Sequence, residues 1–253
     1  MEATGLPVFL RAASLEPQRS EDNFLADQES VVIILGGSCA IEFTKGGPRW
    51  TDLGERADVF SGRATACYVP IGRGWQITGG PTGVRYAVAS AAATTQREPY
   101  LVTPDEITVE RRGSGVSQRE VHNLIDQNKP ADGLLVGETF SDGAVWSSYP
   151  PHKHDKHNPP DESHHQESFY VRVSPPSGFG LFLHYPTVES DREVTVVQDG
   201  DIVQVESGYH SFVVAAGHRF YYLWALAGSQ RELHFHTDPR HQWLLGKPEE
   251  TLR

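Results

Sequence analysis

The sequence predicts an all-β protein of short strands closed into a sandwich or small barrels. Strand-like segments recur at about ten-residue spacing, with no long 3.6-residue periodicity among them. Turn signals such as GG, KGG, SGR and GRG separate the segments. The chain also carries 24 Gly and 17 Pro in 253 residues, which suits tight turns better than long helices.

In chain order, the first half offers strands over Ser30–Leu35, Cys39–Phe43, Thr65–Val69, Trp75–Ile77 and Val84–Ser90. The second half offers Leu134–Thr139, Glu167–Val173, Gly180–Tyr185, Glu193–Gln198, Ile202–Val205, Ser211–Ala215, Phe220–Ala225 and Glu232–Phe235. Several alternate apolar with polar residues, as a sheet with one buried face requires. The halves share a plan. GERADVFSGRATACYVPIGRGW in the first and DREVTVVQDGDIVQVESGYH in the second each run from a polar turn through an apolar strand and a glycine turn to an aromatic or His. Two barrels are therefore expected, over 1–110 and 131–253. The Arg-, Gly- and Asn-rich stretch Pro104–Pro130 contains the crossing between them at 111–130.

The net charge of −11 leaves no basic surplus for nucleic acid or an anionic membrane. It leaves room for a small acidic substrate held by a local Arg or metal. The longest aliphatic run, Val31–Leu35, is far short of a membrane span, and the N-terminus has no basic region followed by an apolar stretch. Cys39 and Cys67 give no disulfide framework and read as buried thiols, so a cytoplasmic enzyme is expected.

Histidine is unevenly spread: all 12 lie at or beyond His122. The second half should thus carry a site and the first should be structural. His152 and His154 stand at i and i+2, so on an extended strand both imidazoles share a face. Glu167 opens the apolar strand ESFYVRV, and His210 follows the glycine turn of ESGYH. Three imidazoles and a carboxylate suit Zn or Mn, with Fe and Ni as alternatives, and leave positions for substrate oxygens. Glu162 is the alternative carboxylate. His157, His164 and His165 flank the site, and His157 and His165, with Tyr222, are candidate acids or bases. His218, His234, His236 and His241 read as surface or structural. Arg172, Arg112 and Arg119 are candidates for holding an anionic end of substrate, because guanidinium pairs with carboxylate in a bidentate fork.

The pattern His-x-His, Glu and a last His after a glycine turn resembles the cupin superfamily. The matching turn of the first half, Pro70–Trp75, has Trp75 where that His would stand. Longer motifs sharpen the likeness. WSSYPPHKHD (Trp146–Asp155), DGD with GYH (Asp199–His210), YYL with AG (Tyr221–Gly228), DP..HQW (Asp238–Trp243), RRGSGVSQREVHN (Arg111–Asn123) and GERADVFSG together resemble the 5-deoxy-glucuronate isomerase family of myo-inositol catabolism. The resemblance implies a bicupin, two jelly-roll-like barrels with one metal site at His152, His154, Glu167 and His210. It also implies conversion of 5-deoxy-glucuronate to 2-deoxy-5-keto-gluconate, and homo-oligomers are expected by analogy.

The sequence departs from the family at Gln166, Val171, Phe182, Leu183 and Trp224, where polar groups are expected. Val171, Phe182 and Trp224 are therefore expected to line an altered pocket. Three competing functions follow: an isomerase of another anionic hexose, sulfonated or phosphorylated; an iron-dependent cupin dioxygenase; and a sugar-binding cupin without catalysis.

Overall fold

The computed structural model describes residues 5–44 and 46–245. Among these there is no α-helix, only short 3-10 turns at Pro104–Glu106, Gly115–Ser117 and Gln242–Leu244. The first half contributes β1 (Val8–Leu15), β2 (Ser20–Phe24), β3 (Gln28–Phe43), β4 (Arg49–Leu53), β5 (Ala66–Val69), β6 (Gly74–Ala92) and β7 (Tyr100–Val102). The rest contributes β8 (Thr108–Arg112), β9 (Arg119–Ile125), β10 (Leu134–Asp142), β11 (Trp146–Lys153), β12 (Asp155–Asn158), β13 (Glu162–His164) and β14 (Gln166–Ser174). It ends with β15 (Phe179–Tyr185), β16 (Glu193–Gln198), β17 (Ile202–Val205), β18 (Tyr209–Val214), β19 (Arg219–Ala227) and β20 (His236–Thr237).

β1–β7 form one antiparallel sheet in the order β1-β6-β3-β5-β7, with β2 beside β6 and β4 beside β3. The second half packs a six-stranded sheet, β17-β14-β19-β10-β9-β8, against a five-stranded one, β16-β15-β18-β11-β20. Three cores result, and the run Val31–Leu35 shows why. Val32 and Ile34 point inward among Phe43, Trp75, Ile77 and Tyr86 of the first half. Val31, Ile33 and Leu35 point the other way, onto Leu134, Val136, Tyr221 and Leu223 of the second. A strand buried on both faces needs continuous apolar sequence, which is what this run is. The third core fills the second half between its sheets, with Phe169, Val171, Phe182, Phe212 and Phe220.

Polar bonds tie the halves together. The buried Glu29 carboxylate of β3 accepts from Tyr68 Oη and from the backbone N–H groups of Asp132, Gly133 and Leu134 at 2.6–2.8 Å. Arg56 pairs with the buried Glu138, which also accepts from Tyr221 Oη at 2.8 Å. Cys39 and Cys67 are free and buried, and burial pushes the Cys39 thiol up to about 12.

Two expectations change. Residues 111–130 are not merely a connection: β8 and β9 pair with each other and β9 pairs with β10, so this stretch extends the second half's sheet. Glu232–Phe235 is not a strand, and β20 begins only at His236. Ser163 pins this segment instead, donating its N–H to the His234 carbonyl and accepting the His234 N–H on Oγ.

Candidate metal centre and cavity

The site forms where the two sheets of the second half face each other. Along β11, Ser147 faces Phe212 of β18 and His152 faces His210, so five steps on one strand oppose two on the other. Pro150 and Pro151 cannot donate to a ladder, and the chain bulges there before rejoining it at His152. The bulge sets His152 directly across from His210, with ring centroids 4.9 Å apart. His154 follows as the chain leaves β11, 5.2 Å from the His210 ring. Glu167 comes from the opposite sheet, on β14 between Leu226 and Val205. Its Oε2 lies 3.1 Å from His154 Nε2 and 3.2 Å from His210 Nε2.

The hydrogen bonds of the three imidazoles decide what can sit among them. Each Nδ1 faces a backbone carbonyl: His152 that of Pro150 at 3.2 Å, His154 that of His165 at 3.0 Å, His210 that of Gly208 at 3.1 Å. A carbonyl only accepts, so each Nδ1 carries the proton and each neutral ring turns a bare Nε2 lone pair inward. The ligand atoms of the three rings lie within 4.8 Å of one another. Lone pairs facing a carboxylate repel unless a proton or a cation lies between them. Between His154 and Glu167 a proton on His154 can fill that role. Burial opposes its charge, but Glu167 outweighs burial and raises its pKa. Burial likewise opposes ionisation of Glu167, and bonds and charge from His154 and His210 outweigh it, holding the carboxyl down at about 2. His152, farther from Glu167, is pushed well below its ordinary value by burial and by its two neighbouring rings. His210 Nε2 is buried without a satisfactory hydrogen bond. These residues therefore fit a divalent cation: oriented lone pairs, one anionic oxygen and an orphaned donor atom.

Glu162, the other carboxylate, is occupied elsewhere. It accepts from Lys153 Nζ at 2.7 and 2.9 Å and from the backbone N–H groups of Asp155 and Lys156. The same lysine pairs with Asp155, whose other oxygen accepts the Gly208 N–H. This knot fastens the β12–β13 hairpin to the turn that presents His210.

A cavity of about 580 Å³ opens onto the centre, bordered by His152, Glu167, Phe169, Tyr222 and Trp224, with Arg112 and Arg119 across it. Strand parity explains the far wall. Thr108, Glu110 and Arg112 of β8 and Arg119, Val121 and Asn123 of β9 share the face turned to the cavity. Arg112 pairs with Glu110 at 2.8 Å. Arg119, opposite Arg112 in the ladder, has no carboxylate partner among the described residues and donates only to the Ser117 carbonyl. Burial pulls its pKa down, and Arg112 adds to this. Arg231 also borders the cavity, donating to the carbonyls of Leu134, Lys129 and Asp126.

Other candidates lie elsewhere. Arg172, out of phase with Val171 and Val173, is bound to Asp199 at 2.7 Å and does not border the cavity. Val171 and Phe182 are core residues, Phe182 stacked near His210 at 6.3 Å. Leu183 points outward on β15, opposite the exposed Val194. Trp224 alone of the departures from the family pattern borders the cavity, packed where Gly137 leaves room. His157 is exposed on the hairpin. His165 is buried behind His154, bound to the Gln230 carbonyl at 2.8 Å, and burial first and then His154 push it down to about 4. Tyr222 borders the cavity and bonds Ser147 Oγ at 2.9 Å; burial raises its pKa, so it stays a phenol at neutral pH. Of this hairpin the sequence singles out Arg112 and Arg119 but not Glu110 or Asn123, whose side chains bond each other at 2.6 Å on the same face.

The model of the KduI/IolB family matches residues 3–244. The chain belongs to the KduI/IolB family. It is 38% identical over 220 residues to the 5-deoxy-glucuronate isomerase of Geobacillus thermodenitrificans, covering 87% of this chain and 79% of that one. Against the 5-deoxy-glucuronate isomerase of Bacillus licheniformis the identity is 35% over 240 residues, 94% and 88% of the two chains. A crystal structure of an IolB-like protein from Salmonella typhimurium superposes with a TM-score of 0.90 at 30% identity, over 96% and 91%. Like these relatives the chain is an enzyme, an isomerase that interconverts aldose and ketose. Oxalate decarboxylase of Bacillus subtilis shares the fold, with a TM-score of 0.64 at 13% identity over 97% and 74%. Among the described residues no helix is long and apolar enough to cross a membrane.

Proposed function

We propose that this KduI/IolB-family isomerase is metal-dependent and converts 5-deoxy-glucuronate to 2-deoxy-5-keto-gluconate. One observation carries the reading: the inward lone pairs of His152, His154 and His210 meet Glu167 at one side of a cavity whose other side presents the unpaired Arg119. An acidic sugar can reach both ends at once.

Moving a carbonyl between adjacent sugar carbons requires loss of a weakly acidic proton beside it. A divalent ion, Zn or Mn by preference and Fe or Ni otherwise, held by His152, His154, Glu167 and His210, would supply Lewis acidity to the oxygens on which charge develops. The remaining work falls to this chain's own groups. Arg119, with Arg112 beside it, takes the substrate carboxylate, and a bidentate guanidinium fixes its direction as well as its charge. Tyr222, still protonated and braced by Ser147, is placed to donate to a sugar oxygen. Phe169 and Trp224 exclude water beside the reacting carbons.

Of the residues that set this pocket apart from its family, only Trp224 touches the cavity, which supports 5-deoxy-glucuronate over another anionic hexose. The test is an NMR assay of 5-deoxy-glucuronate and a panel of acidic aldoses, with metal content measured on the same sample. His152→Ala and His210→Ala are expected to lose metal and turnover together while the far-UV circular dichroism stays that of a β protein. A fully active, metal-free variant would end the proposal. Turnover of a different acidic aldose alone would move the substrate and keep the chemistry.

A further inference from the structure

β8 and β9 have a second face. On it, Val109 and Arg111 of β8 and Glu120 and His122 of β9 border a separate groove of about 1050 Å³, bounded from the first half by Phe60 and Arg63. Four arginines reach this groove: Arg63, Arg111, Arg119 and Arg219. Two carboxylates face it, and both are engaged. Glu120 binds His122 Nε2 at 2.8 Å, and Asp142 binds Arg219 at 3.4 Å. Arg63 and Arg111, like Arg119, have no carboxylate partner among the described residues; Arg63 donates to the Pro104 carbonyl at 3.3 Å.

Among the described residues, Arg63 and Arg111 both border this concavity without an ion-pair partner, in a chain whose net charge is −11; Glu120, opposite Arg111 in the ladder, is bound to His122 instead. Elsewhere the acidic excess makes it easy to give an arginine a carboxylate, as Arg11, Arg56, Arg112 and Arg172 have. The floor between the cations is aromatic: Phe60 and Phe140 both pack on Tyr221, and Arg219 lies over the Phe60 ring at 4.8 Å. Concave shape, apolar floor and a rim of fork-shaped cations match a small organic anion with a ring and a phosphate.

We propose that this groove, on the opposite face of the β8–β9 hairpin from the metal centre, is a second binding site for a phosphorylated small molecule. Arg63 and Arg111 grip the phosphate, and the ring packs against Phe60 and Phe140.

The probe is phenyl phosphate, a ring with a dianion and a weak chelator, titrated calorimetrically into the metal-loaded enzyme at low salt. One site is expected, weakened at least tenfold in the Arg63→Gln/Arg111→Gln double variant and unchanged in His210→Ala. Both arginines are exposed, so the double variant should keep the wild-type melting temperature. Absence of binding, or equal binding by the double variant, overturns the proposal. So does binding lost in His210→Ala, which would place the probe at the metal centre. None of these readouts requires turnover, so they stand or fall apart from the isomerase reading.

Discussion

Glu167→Gln isolates the one carboxylate among the four residues that converge on the centre. Gln keeps the volume and the strand position but removes the anionic oxygen 3.1 and 3.2 Å from His154 and His210. Loss of a charged ligand is expected to weaken metal binding about 100-fold, the upper end of what even an outer partner's removal costs. With metal fixed at about 100 times the wild-type Kd, binding stabilises the wild type by about 2.7 kcal/mol and the variant, now near its Kd, by only about 0.4 kcal/mol. The difference of about 2.3 kcal/mol corresponds to roughly 5–9 °C in Tm for a chain of this size. Scanning calorimetry of each protein, chelated and metal-loaded at neutral pH, reads it directly. An equal metal-induced rise in both proteins would refute the assignment of Glu167. The chelated pair adds a pH control. The folded pKa of Glu167 lies below its unfolded value, so its ionisation contributes stability that is fully present above the unfolded value of about 4.5 and is lost as pH falls toward about 2. The gap between chelated wild type and variant should therefore narrow through that window.

Three further outcomes follow from the contacts. Glu162→Gln should leave metal stoichiometry unchanged while lowering Tm, because Lys153 keeps only Asp155 as counter-charge in a buried position; loss of metal in that variant would exchange the roles of the two glutamates. Arg119→Gln should cut kcat/KM for 5-deoxy-glucuronate by roughly 10–150-fold, the worth of a charged hydrogen bond of about 1.5–3 kcal/mol, and should affect the neutral amide of the same sugar far less. Gly137→Ala would set a Cβ 2.1 Å from the Trp224 ring and 2.6 Å from the His122 carbonyl, so a cost of about 1–3 kcal/mol is expected in denaturant unfolding, with a raised KM as Trp224 shifts into the cavity.

The strands legible in the sequence are those where β-branched residues run together between turn signals. Glu193–Gln198 and Ile202–Val205 agree with the expected bounds, and Val31–Leu35 reads as strand because both its faces are buried. β8 and β9 escaped for the opposite reason. Each face of that hairpin looks into a cavity, so polar residues stand on both sides beside Val109 and Val121, and the apolar/polar alternation is weak. β11 escaped because its prolines signal a turn, whereas the chain bulges and returns to the ladder in time to place His152. Parity alone placed Arg172 outside, since Val171 and Val173 on either side of it are core, and that signal was available in the sequence.

For the centre, residue chemistry carried more information than position. Imidazoles and carboxylates can be picked out by type, and Glu167 stands out by opening an apolar strand, but the Lys153 pairing that occupies Glu162 forms across a hairpin that the sequence does not announce. The first half is packed differently. Trp75, at the start of β6, is buried among Phe43, Ile77 and Tyr86. A barrel packed with large apolar rings leaves neither the volume nor the polar partners that orient an imidazole. One copy of the plan therefore supplies a rigid wall for β10 and β19 to pack on, and the other is free to keep its interior partly open. Among the described residues, Arg111 and Arg119, neither with a carboxylate partner, stand on the β8–β9 hairpin, which borders both cavities.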